Sequence, residues 1–462
     1  MTRKKTTRPD EATSEAEFSQ APAIPHSEPA GGTGSLEAAT EQEPNPVRRF
    51  LKVLGPGLIT GASDDDPSGI GTYATAGASL GYATLWTAPL TYPLMAAVQY
   101  ICAKIGMVCG TGLAGVLRQH YSRWLLYPVL VSLVAANTIN AGTDIGAVAA
   151  AINLLVPIPP AALVVPIALM IVVLQIWGSY RLIARTFKWL TLTLFAYIAS
   201  TFLARPHWGE VLRATFIPTI RFDSTFLLTI VAILGTTISP YLFFWQASEE
   251  VEEEVSMGRR RLWERVGATD EELKYAALDV NIGMIFCNIV FYFVILGTAA
   301  TLHAAGRTDI ESATDAAQAL RPLAGNAASI LFALGIIGAG FLAVPVLTGS
   351  AAYALAEAFG WQYGLDEKPE SAKQFYAAIA ISTAIGTLIN FIGINPIKAL
   401  FWTAVINGFL SPPLLVVIML VANNREAMGD RTNGIWMNVL GWATAVVMFA
   451  AAIASVLSWW KS

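Results

Sequence analysis

From about residue 51 onward the chain is a succession of apolar runs separated by short polar stretches. A run of about 20 apolar residues is long enough to cross a bilayer core as a helix. Eleven such spans are predicted, at roughly 51–79, 82–106, 125–153, 160–178, 187–204, 226–248, 276–300, 326–356, 374–393, 396–422 and 436–459. Spans one, three and eight are long enough to be tilted, broken or extended beyond the lipid.

Two spans are interrupted at mid-depth. In the first the break reads Gly61-Ala62-Ser63-Asp64-Asp65-Asp66-Pro67-Ser68-Gly69, and in the sixth Gly235-Thr236-Thr237-Ile238-Ser239-Pro240. Each break ends in a capping residue followed by proline, which is how a helix restarts: a side chain at the N-cap and Pro at the first helical position. Broken helices five spans apart point to a transporter built from inverted repeats. The expected fold is therefore all-α and integral to the membrane, with a disordered cytoplasmic tail at 1–49 and a transporter domain at 50–460. The first repeat covers about 50–204, the second about 226–422, and an extra helix about 436–459.

Composition agrees. Of 462 residues 55% are hydrophobic and 13% charged, against about 25% charged in soluble domains. The tail is rich in Pro, Glu, Ala, Thr and Ser and cannot bury enough surface to order itself; it has no apolar core and is not a cleavable signal peptide. With the N-terminus in the cytoplasm, 22 Lys and Arg fall inside and seven outside, as the positive-inside rule requires. That places the protein in the plasma membrane with its C-terminus outside. Trp459 and Trp460 beside Lys461 read as interfacial anchors. No basic stripe indicates nucleic acid, no phosphate loop indicates a pump, and a monomer is compatible with the sequence. Cys102, Cys109 and Cys287 form no CxxC and read as small apolar packing residues. Gly106, Gly110, Gly112 and Gly115 read as packing or turn residues. Glu249–Glu254 is an acidic run read as a solvated face, with a cation-attracting vestibule as the alternative.

The chemistry lies in the breaks. An ionised Asp at the bilayer centre costs about 2.5–3.5 kcal/mol, and three in a row repel one another. A bound cation relieves both costs, and unwound backbone supplies carbonyl oxygens. Asp66 is the expected principal ligand and Asp65 an outer-shell partner. The plainer alternative is that Asp66 only caps the restarted helix; the two roles are compatible. Thr236, Thr237 and Ser239 add neutral oxygen donors. Neither break holds Cys, Met or His, so an oxygen-only site for Mg2+, Ca2+ or Mn2+ is expected. Gly69, Thr236 and Ser239 leave room for the water Mg2+ keeps. Asp144, deep in span three, reads either as functional or as bonded to a neighbouring helix. No metal-hydrolase motif and no nucleophile–base pair indicates an enzyme. An amino-acid permease would need a free half-helix N-terminus where the aspartates stand.

The stretch GPGLITGASDDDPSGIGTYATAGASLGY resembles the first span of the natural resistance-associated macrophage protein (NRAMP) metal transporters, and ISPYLFFWQASE falls where their sixth span lies. The likeness covers about 50 to 459 and implies a LeuT-like fold of two inverted five-helix repeats, no resident cofactor, and a divalent metal ion as substrate. Family members usually read Asp-Pro-Gly-Asn and Met-Pro-His at the two breaks. Here Asp66 is kept, Gly69 stands for the Asn, Ser239 for the Met and Tyr241 for the His. Thr236 stands where the carbonyl-donating Ala sits, Asn407 about where a Gln lines the site, Asp144 at a family aspartate, and Ala147 at a proton-relay Glu. These departures resemble the NRAMP-related magnesium transporters. The resemblance implies Mg2+ uptake by alternating access without proton coupling, with Asp66, Asp65, Gly69, Thr236, Ser239 and Asn407 around the hydrated ion. The alternative is a Mn2+ or other divalent transporter, proton-coupled in the manner of the wider family.

Overall fold

A computed structural model describes residues 55–178, 192–365 and 367–459. The tail, the start of span five, and the Trp460–Lys461 part of the anchor lie outside the described residues. Among those described, every regular element is helical. The first span is two half-helices, α1 (Pro56–Asp64) and α2 (Pro67–Leu80). There follow α3 (Thr87–Cys109), α4 (Leu113–His120), α5 (Arg123–Leu155), α6 (Pro160–Trp177), α7 (Ala196–Ala204) and α8 (Trp208–Phe216). The sixth span is again halved, into α9 (Ser224–Thr237) and α10 (Pro240–Ser256). The remaining long helices are α11 (Asp270–Thr298), α12 (Ala328–Phe359), α13 (Lys373–Leu388), α14 (Pro396–Ala422) and α15 (Ile435–Trp459). Nine helical stretches among the described residues are long and apolar enough to cross a bilayer. The broken first span and the short apolar helix ending at Ala204 account for the other two expected crossings.

Lipid tails are as apolar as leucine, so helices in a membrane associate through close packing, and small residues permit it. The contacts here follow that rule. A Cβ on Gly61 of α1 would stand 2.3 Å from the Gly283 backbone of α11, and one on Gly283 would stand 2.1 Å from the Gly57 carbonyl oxygen. The second half-helix of each broken span uses the same device: Gly77 of α2 closes on the Ile295 carbonyl of α11, and Gly106 of α3 on the Ala247 carbonyl of α10. Span one thus leans on span seven as span six leans on span two, the relation expected of inverted repeats. Gly110 adopts φ +63° at the end of α3, and Gly112 and Gly115 make room for Glu357 and Thr111.

Helix ends are satisfied partly by distant residues. Asp223 caps α9 by accepting from the Phe226 N–H at 3.0 Å, which holds its carboxyl below the usual range. The start of α1 has no side-chain cap of its own. Instead Asp279 of α11 accepts from the backbone N–H groups of Gly55, Gly57 and Leu58 at 3.0, 2.6 and 3.1 Å. This carboxylate and the glycine contact tie the short α1 to α11. Asp279→Ala is expected to cost about 1–3 kcal/mol, the worth of charge-assisted capping bonds, read as a lowered thermal midpoint of the purified protein in detergent.

Two members of the acidic run depart from the expected solvated face, while Glu249, Glu252 and Glu253 stay partly exposed. Glu250 and Glu254 are buried. Glu250 accepts from the Gln246 amide at 2.8 Å, and Glu254 lies 3.6 Å from Arg259, which also pairs with Glu272 at 2.5 Å. Glu254 ties α10 to the loop and, through Arg259, to the helix that follow, and packing takes both glutamates out of water.

Candidate ion site

The two breaks meet at the centre of the bundle. Asp65 and Asp66 separate α1 from α2, and Asp64, Asp65 and Asp66 are each only 1% exposed. Asp66 is the N-cap of α2, as expected: its Oδ1 accepts from the Gly69 N–H at 2.5 Å. The Ser68 hydroxyl, at 3.0 and 3.1 Å, reaches both carboxylate oxygens. The Asn140 amide of α5 donates to Oδ2 at 3.0 Å. An ionised carboxylate has about four acceptor positions, so three donors fix Asp66 and leave room for one more partner.

Its neighbours are different. Asp64 Oδ1, both oxygens of Asp65 and both oxygens of Asp144 are buried without a hydrogen-bond partner. The Ser68 backbone N–H of α2 is the group that faces the Asp144 carboxylate. The nearest cationic relief is also missing: Lys104 is the only buried basic side chain among the described residues, and its ammonium goes to the Thr432 carbonyl at 3.0 Å.

The sixth-span break faces these groups. Around the place a Cβ on Gly69 would occupy stand three oxygens: Thr236 Oγ1 at 3.1 Å, Asp66 Oδ1 at 3.2 Å and the Asp64 carbonyl at 3.3 Å. Gly69 is thus the gap through which both breaks present oxygen. Tyr241 donates its hydroxyl to the Ser63 carbonyl at 2.9 Å, pinning α10 to the end of α1. Behind the sixth-span break, Gly235 packs against Gly408 of α14, and Ser411 donates to the Ile238 carbonyl at 2.8 Å. Asn407 is buried on the same stretch of α14.

One expectation needs correction. Ser239 occupies the N-cap position of α10 but makes no capping bond. Its hydroxyl turns back to the Gly235 and Thr236 carbonyls, at 3.1 and 2.6 Å. It closes the end of α9 instead of opening α10, because carbonyls three and four residues back are within a Ser side chain's reach. Among the described residues no hydrogen bond joins the side chains of Ser239 or Asn407 to the aspartates. Neither break contains a soft donor. Cys102 and Cys287 are buried in the apolar core, as expected; the Cys287 thiol donates to the Met284 carbonyl of its own helix at 3.3 Å and lies near the Asp64 carboxylate. Among the described residues no three acidic, Cys or His groups converge closely enough to hold a bare ion.

Comparison with known proteins completes the picture. The family model for natural resistance-associated macrophage protein-like proteins (Nramp) matches residues 57–458. The chain belongs to the Nramp family. It is 26% identical to the divalent metal cation transporter MntH of Klebsiella pneumoniae over 407 residues, 86% of this chain and 92% of that one. It is also 26% identical to the MntH of Deinococcus radiodurans, over 88% of this chain and 90% of that one. Its fold is similar to a crystal structure of an Eremococcus coleocola manganese transporter variant, with TM-score 0.70 and 19% identity over 90% of this chain and 88% of that one. MhsT crystallised with L-phenylalanine is also similar, with TM-score 0.57 and 14% identity over 88% and 98%. An Nramp chain of LeuT-like fold is a multi-pass membrane transporter and not an enzyme.

Proposed function

We propose that this Nramp chain moves a divalent metal cation across the plasma membrane by alternating access, with hydrated Mg2+ as its cargo and no coupled proton. The observation that carries the reading is the set of five buried carboxylate oxygens without a partner, on Asp64, Asp65 and Asp144. Uncompensated charge in a membrane interior is costly, and a cation arriving at the break supplies the missing partner. Asp66 is its principal ligand, Asp65 an outer-shell partner, and Gly69 the space. Thr236, Ser239 and Asn407 form the far wall. The absence of a tight three-carboxylate cage suits an ion that keeps its water, as Mg2+ does. Repeat one at about 50–204, repeat two at about 226–422 and the extra helix at about 436–459 complete the arrangement, with the N-terminus in the cytoplasm and the C-terminus outside. The deciding experiment is uptake of Mg2+, Mn2+, Ca2+ and Cd2+ by the purified protein in liposomes. Mg2+ uptake supports the reading, and uptake of Mn2+ without Mg2+ overturns its choice of ion.

Manganese is the second reading. It is favoured by the Cys287 thiol near Asp64, a donor softer than oxygen, and by the manganese named for the similar Eremococcus coleocola structure. Cys287→Ser is expected to lower Mn2+ and Cd2+ uptake relative to Mg2+. An unchanged ratio removes the thiol from the selectivity argument.

Gly69 and Ser239 offer a converse test. Gly69→Asn with Ser239→Met restores the donors usual in the wider family and is expected to raise affinity for Mn2+ or Cd2+ relative to Mg2+. The three oxygens at 3.1–3.3 Å from a Gly69 Cβ must give by a few tenths of an ångström, so a partial shift counts. An unchanged ratio in the folded double variant speaks against this ligand alignment.

A further inference from the structure

Asn140 is fully buried in α5, 74 residues from the break it touches. Its two amide ends are in unequal states. Nδ2 donates to Asp66 Oδ2 at 3.0 Å, whereas Oδ1 has no hydrogen-bond partner. One helical turn further along α5 stands Asp144, also buried, with neither oxygen partnered. Residues four apart share a helix face, so Oδ1 and the Asp144 carboxylate are acceptors on the side of α5 turned to Asp66. The orientation of the amide is set chemically: the carboxylate of Asp66 can only accept, so the NH2 is the end bonded to it and the carbonyl oxygen is left without a donor.

An acceptor buried in a dry interior requires a donor. The protein supplies none here. A divalent ion that keeps its hydration shell supplies several, because the metal polarises its waters and turns their O–H bonds outward. We propose that Asn140 is a positioning and specificity residue of the ion site, its NH2 fixing Asp66 and its Oδ1 accepting from a water in the ion's shell. This inference rests on the divalent-transport reading above. Such outer contacts orient a ligand and tune which metal it prefers. The second function matters most for an ion that retains its water. Mg2+ dehydrates reluctantly, so removing Oδ1 weakens Mg2+ more than Mn2+. A residue that merely held Asp66 in place would weaken both ions alike.

The test compares wild type with Asn140→Ala and the nearly isosteric, apolar Asn140→Leu, which suits a membrane interior if the smaller residue fails to fold. Mg2+ and Mn2+ uptake are measured over a range of concentrations in liposomes, and the thermal shift given by Mg2+ is measured in detergent. The expected result is a KM for Mg2+ raised about 10- to 100-fold, a smaller rise for Mn2+, a largely kept maximal rate, and a lost Mg2+ thermal shift. Three outcomes overturn the proposal: an unchanged KM with only a slower maximal rate, equal weakening of both ions, or a Mg2+ thermal shift like wild type's. A wild-type protein that takes up no divalent ion at all overturns instead the transport reading on which the proposal stands.

Discussion

Asp66→Ala is expected to abolish divalent uptake in liposomes while leaving a folded, monodisperse protein. The carboxylate does two things at one point. It caps α2 through Gly69 and Ser68, and it offers charge to an ion in the gap beside Gly69. Losing the cap costs about 1 kcal/mol, too little to unfold a bundle of this size. Losing the charge removes the one carboxylate of the first-span break that three donors hold in a fixed position, and so removes the centre of the site. Asp66→Asn separates the two roles, because Asn caps helices nearly as well as Asp but carries no charge. It is expected to keep wild-type stability and still fail to transport. Asp64→Ala should be milder, since the Cys287 thiol and the other carboxylates remain. Wild-type uptake by either Asp66 variant would sink the assignment.

What the sequence made legible is what is local. The breaks could be placed because Pro67 and Pro240 cannot continue a helix through the preceding turn, and because the Asp66 cap reaches only three residues ahead. The contacts that decide the chemistry are not local. Asn140 meets Asp66 across 74 residues, and Asp279 meets Gly57 across 222. Cys287 reaches Asp64 from span seven. No pattern along the chain marks an Asn, an Asp or a Cys in an apolar span as facing a break rather than a neighbouring helix. The glycine at position 283 is the nearest thing to a signal, since α11 must approach α1 closely for Asp279 to reach Gly55 and Gly57. Ser239 shows the opposite limit. Its sequence reads as a cap, but the hydroxyl has carbonyl acceptors within reach behind it as well as N–H donors ahead, and the acceptors win. Glu250 and Glu254 show a third: a run of charge is solvated only if nothing packs over it, and here α10 turns them inward.

An inside-negative potential of about 100 mV is expected to raise Mg2+ accumulation in liposomes roughly a thousandfold over the level at zero potential, with no movement of protons. The size follows from charge: about 2.3 kcal/mol per elementary charge, about 4.6 for a divalent ion, at 1.4 kcal/mol per tenfold. Voltage alone therefore suffices as a driving force. The side chains support the same outcome. Tyr241, where the wider family has a histidine, spends its hydroxyl proton on the Ser63 carbonyl, and a phenol ordinarily releases that proton only near pH 10. Ala147, at the place of a relay Glu, cannot titrate. Asp144 is left as the family-matching carboxylate of α5, with no hydrogen-bond partner on either oxygen and no second carboxylate or histidine on its helix to pass a proton to. The measurement uses liposomes loaded with a pH-sensitive dye, with Mg2+ added outside and the potential set by a K+ gradient and valinomycin. Uptake should rise with voltage while internal pH follows the protein-free control. Acidification in fixed proportion to Mg2+ entry would falsify the claim and would make Asp144 and Asp65 the proton route.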